Sequence, residues 1–188
     1  MNKLISIFLL VIIISCQPIE KIDQVVFDNN QLSKFEILSN VIKIENIFEN
    51  KISEPYIGHT LKIDPSQRVS NWVNDNFKAI GTENKFEVVI LDASLLNTEF
   101  KNKDAKNFDE KINYKYELFY LIEFNLYNDT NNLVASTLVE TIRSTTSGAY
   151  ISLQNREKII DDLIYQSLVD LSLQSHQLLK QYMSDYIL

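Results

Sequence analysis

Between Tyr114 and Tyr127 apolar and polar side chains alternate almost without a break. Tyr114, Tyr116, Leu118, Tyr120, Ile122, Phe124 and Leu126 share one parity, and Lys115, Glu117, Glu123 and Asn125 share the other. A period of two places each set on its own face of a β-strand. The second face is polar at its ends but carries Phe119 and Leu121 at its centre. The turn-forming run Asn128-Asp129-Thr130-Asn131-Asn132 leads into LVASTLVETIRST, so this region predicts a β-hairpin.

Upstream, Ile42, Ile44 and Phe48 alternate with Lys43, Glu45 and Glu49, which predicts a first strand running from Phe35 to about Phe48. Pro55 and Gly58 mark a loop that holds Tyr56 and His59. The period then changes. Asp64-Pro65-Ser66-Gln67 has the chemistry of a helix start, and Val69, Trp72, Val73, Phe77 and Ile80 follow at spacings of three and four up to Gly81. Gly81 is expected to end that helix in a left-handed conformation. Phe86 to Leu96 reads as a strand apolar on both faces, and the polar stretch from Asn97 to Asn113 as an exposed loop. After Gly148 the three-and-four spacing returns at Ile160, Leu163, Ile164, Leu168, Leu171, Leu178 and Tyr182. Ser152 or Asn155 would cap this last helix, whose length suggests a C-terminal end that projects or bends. The predicted order is βαβββα. It gives an α+β fold in which a four-stranded, mostly antiparallel sheet carries two helices on one face.

The first residues obey neither period. Lys3 precedes an apolar run from Leu4 to Ile14, too short to span a bilayer comfortably and of the length of a signal-peptide core, with Pro18 just beyond it. The run closes on Ile13-Ile14-Ser15-Cys16, and this pattern resembles a bacterial lipobox. The resemblance implies cleavage between Ser15 and Cys16, a diacylglycerol on the Cys16 thiol and an acylated new amino terminus. Residues 1–15 would then be a lipoprotein signal peptide, residues 16–34 a lipidated tether and residues 35–188 one α+β domain. Within the tether Val25-Val26-Phe27 is an apolar knot that would otherwise read as an edge strand.

Composition narrows the remaining choices. With 45% hydrophobic and 11% aromatic residues the chain is globular, and about 173 residues after cleavage suit one domain with its own core. Cys16 is the only cysteine, so no disulfide can staple that core. Loss of Lys3 with the leader takes the formal charge from −7 to −8. An acidic body with no local Lys/Arg cluster is repelled by phosphate backbones, so nucleic acid is not expected as a partner.

Catalytic patterns are missing. Three glycines cannot build a phosphate cradle, and neither a nucleophile elbow nor a dinucleotide fingerprint occurs. His59 and His176 stand more than a hundred residues apart without companions at metal-ligand spacing. Asp161-Asp162 and Asp109-Glu110 read as solvated charges, and Trp72 as core. No catalytic, metal or cofactor site is expected beyond the covalent lipid on Cys16. Phe119 and Leu121 are the exception to a bland surface. An apolar centre bordered by Glu117 and Glu123 is how a partner-binding patch looks, unless the loop from Asn97 to Asn113 lies over it.

Lipobox, tether and element order together resemble small Gram-negative envelope lipoproteins. At the level of architecture they are similar to auxiliary lipoproteins of ABC-type transporters and to the lipopolysaccharide-assembly lipoprotein. Pro55-Tyr56-Ile57-Gly58-His59, Asp64-Pro65, Leu91-Asp92-Ala93-Ser94 and Leu153-Gln154-Asn155-Arg156-Glu157 also look like those of an uncharacterised proteobacterial lipoprotein group. That likeness brings no known activity, and the role expected here is a non-enzymatic accessory or assembly subunit, lipid-anchored in the cell envelope and facing the periplasm, with an envelope protein as partner. Gln17 after Cys16, where aspartate would resemble an inner-membrane retention signal, tilts the expectation toward the outer membrane. The alternative is a lipid- or glycan-binding module that uses the groove between sheet and helices.

Overall fold

The computed structural model describes residues 24–103, 105–107 and 110–188. Ser15, Cys16, the 1–15 leader and Asp109 lie outside them. The fold is α+β, but the described residues hold seven strands in two sheets instead of the single four-stranded sheet expected.

The main sheet contains β2 (Val41–Asn46), β4 (Lys85–Asp92), β5 (Leu95–Lys101), β6 (Ile112–Tyr127) and β7 (Leu133–Gly148). β2 lies parallel to β4, while β4, β5 and β7 all run antiparallel to β6. The predicted hairpin is β6–β7, in register from Asn113↔Gly148 to Leu126↔Ala135, with a shift before Tyr127↔Leu133. β4 and β5 pair with successive halves of one edge of β6, separated by a bulge at which the Asp92 carboxylate accepts from the Ser94 amide at 2.8 Å. That bulge ends the strand expected over Phe86–Leu96 and restarts it as β5, inside the stretch expected to be loop. Asn97 to Lys101 is polar because its place in the sheet comes from backbone pairing rather than from burial.

The small sheet pairs β1 (Phe35–Ile37) with β3 (Phe77–Ala79) in parallel. The single strand predicted over Phe35–Phe48 is therefore broken at Leu38–Asn40 and serves both sheets. Between them stands α1 (Pro65–Asn76). Asp64 caps it by accepting from the Gln67 amide at 2.9 Å, and Pro65 fills the first turn. The helix stops one turn before the predicted end because Phe77 is taken into pairing with Phe35. Gly81 has no positive φ; a Cβ there would sit 2.7 Å from the Leu38 backbone, so glycine is needed for the close approach.

The second helix, α2 (Leu153–Tyr182), begins where the period predicts, with the Ser152 hydroxyl accepting from the Asn155 amide at 3.2 Å. Its thirty residues make about 45 Å of helix. Its C-terminal end neither projects nor dangles. Leu179 and Met183 are buried, and the chain turns back so that Leu188 donates to the Glu36 carbonyl and Leu38 to that of Tyr186. The tail thereby extends the small sheet, with Ile187 opposite Ile37.

The core lies between the helices and one face of the main sheet, where Phe86, Val88, Ile90, Leu118, Tyr120, Ile122, Phe124 and Leu126 meet Val69, Trp72, Leu163, Leu168 and Leu171. Phe77 stands at its centre, touching the rings of Phe35, Trp72, Phe86 and Phe124 at centroid distances of 4.4, 5.2, 6.2 and 5.9 Å. Part of the stretch expected as tether, residues 16–34, packs on the body from about Phe27 onward. The Phe27 ring is held between the Arg68 guanidinium, 3.5 Å away, and the edge of Tyr165. Asn76, buried at the end of α1, donates to the carbonyls of Asn29, Leu32 and Ser33. The two amide hydrogens, shared among three carbonyls, fix the chain to the body from about Phe27 onward.

Candidate functional site

Pleat parity leaves the second face of the main sheet open. Both helices sit on the Tyr116–Leu126 face: the Tyr120 hydroxyl is 3.5 Å from the Pro65 carbonyl, and Arg143 makes a two-pronged ion pair with Asp170 of α2 at 2.7 and 3.3 Å. Phe119 and Leu121 point the other way and are half-buried by their neighbours within the sheet. Residues 97–101 lie in the plane of the sheet as β5, so that part of the expected loop does not cover them.

Register brings further apolar groups to this face that no inspection of one strand would assemble. Ile142 is directly opposite Phe119, Leu138 is opposite Glu123, and Glu140 is opposite Leu121. On the other side Val89 pairs with Glu123. Ile142 is 60% exposed and Leu138 50%. The outcome is an apolar band across β4, β6 and β7, with Glu123 and Glu140 set into it.

Toward β2 the same face becomes ionic. Lys43 and Lys85 reach the Glu87 carboxylate at 3.1 and 3.2 Å. Burial pushes Glu87 up, but the two ammonium groups outweigh it and hold the carboxyl below its ordinary range. Lys115 and Glu117 pair on the face nearer its other end. The apolar band is thus bounded by charges already neutralised within the protein.

A second feature lies in the groove between the sheet and α2. A cavity of about 590 Å³ is lined by Glu54, Pro55, Ile57, Asn97, Thr98, Glu99, Tyr114 and Arg156. It forms because the segment around Pro55 pairs with the outer edge of β5: Asn97 donates to the Pro55 carbonyl and Ile57 to that of Leu95. Arg156, on the first turn of α2, lies over the rings of Tyr114 and Tyr116 at 5.5 and 5.8 Å. The Tyr114 hydroxyl donates to Glu99, which raises its pKa from the ordinary phenol value. The Asn97 side-chain oxygen is buried without a partner. None of this was legible in the sequence, since the residues come from four separate segments.

The remaining candidates are structural. His59 is exposed in a short 3₁₀ turn, whereas the His176 ring lies 5.8 Å from Phe35 and its Nδ1 is buried. Glu110 is not a free loop charge, because its carboxylate accepts from the amides of Ala149 and Tyr150. Asp161 is half-buried and its carboxyl is raised by that burial. Trp72 is fully buried. Among the described residues no group of three or more His, Cys, Asp or Glu is placed to hold a metal ion, and no helix is long and apolar enough to cross a membrane.

No protein-family model and no curated protein matches the chain. Among solved structures it is similar to a minor lipoprotein from Acinetobacter baumannii, at 9% identity and a TM-score of 0.41 over 79% of this chain and 94% of that one. A neuraminyllactose-binding hemagglutinin homologue from Helicobacter pylori gives 7% and 0.43, over 80% and 90%. Rare lipoprotein B from Shewanella oneidensis gives 14% and 0.34, over 73% and 94%.

Proposed function

We propose that this chain is a lipoprotein of the cell envelope, anchored through acyl chains on Cys16 after cleavage behind Ser15. In this reading it is a non-enzymatic accessory or assembly subunit that faces the periplasm, on the outer membrane in preference to the inner. Its working surface is the open face of the main sheet, where Phe119 and Leu121 meet an envelope protein partner. The observation that carries the reading is the register pairing of Phe119 with Ile142, which turns two isolated apolar positions into a band continuous to Leu138. A band of this kind with a polar border is what a partner covers, and its large side chains are the natural anchors.

Affinity purification from detergent-solubilised membranes tests it. Phe119→Glu is expected to lower recovery of a stoichiometric partner more than tenfold, since one anchor side chain contributes roughly 2 kcal/mol. The melting temperature should stay within about 2 °C of wild type, because Phe119 is outside the buried core. A retained complex, or a protein that unfolds, would count against the patch.

The sheet–helix cavity supports the alternative reading, a ligand-binding module. Its lining of carboxylates, amide, hydroxyl and guanidinium offers partners to a hydroxyl-rich ligand rather than to an acyl chain, so glycan is the version that it favours. Native mass spectrometry of the purified protein would then show a co-purifying saccharide, lost in Arg156→Ala. A spectrum without such an adduct, together with a protein partner that Phe119→Glu removes, rejects the alternative.

A further inference from the structure

β7 is the outermost strand of the main sheet. Its backbone pairings among the described residues are all to β6, which leaves the other edge of a sixteen-residue strand without a partner. Such an edge is a template for another strand, and proteins that keep one exposed usually blunt it with proline, lysine or bulges. β7 contains neither proline nor lysine, and its one register shift lies at its start, beside Leu133. The strand holds four Thr, two Val and one Ile, and on the open face Val134, Leu138 and Ile142 are 43, 50 and 60% exposed. Its arginine is already engaged by Asp170.

The geometry points to a second copy of this chain as the partner of this edge, joined by antiparallel β7–β7 pairing centred on Leu138. The argument is the symmetry of the side chains about that residue. Val134 and Ile142 lie four residues to either side, and Ser136 and Glu140 two. Pairing on this centre sets Leu138 against Leu138, Val134 against Ile142 and Ser136 against Glu140, so apolar meets apolar and each carboxylate meets a hydroxyl. Moving the centre to Val139 puts Leu138 against Glu140 and Ser136 against Ile142. Moving it to Glu140 sets two carboxylates face to face, which is destabilising. The favoured register forms a ladder over residues 133–143 of both copies.

Symmetry gives this arrangement a definite shape. Two antiparallel strands that share a face are related by a two-fold axis normal to the sheet, so both helix layers fall on one side and both open faces on the other. The N-terminal segments, clamped at Phe27 against α1 and α2, then leave from the same side of the dimer. Two chains anchored in one membrane need that arrangement, although the pairing itself does not depend on the anchor.

Single-cysteine crosslinking of the full-length protein in native membranes reads the register directly, because the described body contains no cysteine. On copper–phenanthroline oxidation Leu138→Cys is expected to give a disulfide-linked homodimer, with none from Glu140→Cys or from wild type. In detergent, sedimentation should give twice the chain mass for wild type and the monomer mass for Leu138→Lys, with the melting temperatures within about 2 °C of each other. A wild-type monomer at tens of micromolar, a crosslink from Glu140→Cys, or no homodimer from Leu138→Cys would each overturn the proposal. Phe119→Glu should leave the Leu138→Cys homodimer intact while releasing the envelope partner, so failure of the edge and failure of the patch are told apart.

Discussion

Phe77→Ala is expected to destabilise the fold by about 3–5 kcal/mol, the cost of truncating a large aromatic in a packed core. This side chain touches four other rings, and those rings belong to different parts of the molecule: Phe35 to the small sheet, Trp72 to α1, Phe86 and Phe124 to the main sheet. Removing it opens a void whose walls are held by separate backbones, so collapse cannot refill it. Urea denaturation should show a lower midpoint with an unchanged m-value, and the melting temperature should fall by roughly 10 °C. Ile142→Ala deletes a side chain of similar apolar character from the open face and should cost under about 0.5 kcal/mol. Equal losses for the two variants would mean that Phe77 does not join the sheets.

The same residue shows where sequence reading succeeds and where it stops. Phe77 belongs to the apolar stripe of α1, and the periodicity identifies it correctly as core, yet it is a strand residue. Three residues of β3 are too few to display a period of two, and their pairing with Phe35 across more than forty positions leaves no local mark. The β6–β7 hairpin was legible because sixteen-residue strands with one buried face must alternate. Both helix starts were legible because Asp64 and Ser152 act on amides three residues away.

β5 escaped notice for the opposite reason. Its residues from Thr98 to Lys101 are exposed, so burial imposes no pattern on them. Of the candidate site, Phe119 and Leu121 could be found as apolar residues on a polar parity. Ile142 and Leu138 could be joined to them only through the register. The docking of Phe27 depends on Arg68 and Tyr165, both far along the chain, and the cavity around Arg156 depends on four segments meeting.

Cys16→Ser is expected to abolish palmitate incorporation and to move the protein from the membrane pellet to the soluble fraction after carbonate washing. Each buried methylene contributes about 0.8 kcal/mol, so two or three acyl chains make an anchor that does not exchange on the time scale of fractionation. Nothing else in the described molecule would replace it. No described helix is long and apolar enough to cross a bilayer, and a chain of formal charge −7 is repelled by anionic headgroups. The docking of Phe27 limits how far the body can stand away. With a lipid on Cys16, the eleven residues from Cys16 to Phe27 would reach at most about 40 Å, and the seam between α1 and α2 would lie within that distance of the bilayer surface. Fractionation of Cys16→Ser beside wild type, with labelled palmitate, decides the point. A mutant that still incorporates label and still sediments with membranes would remove the anchor.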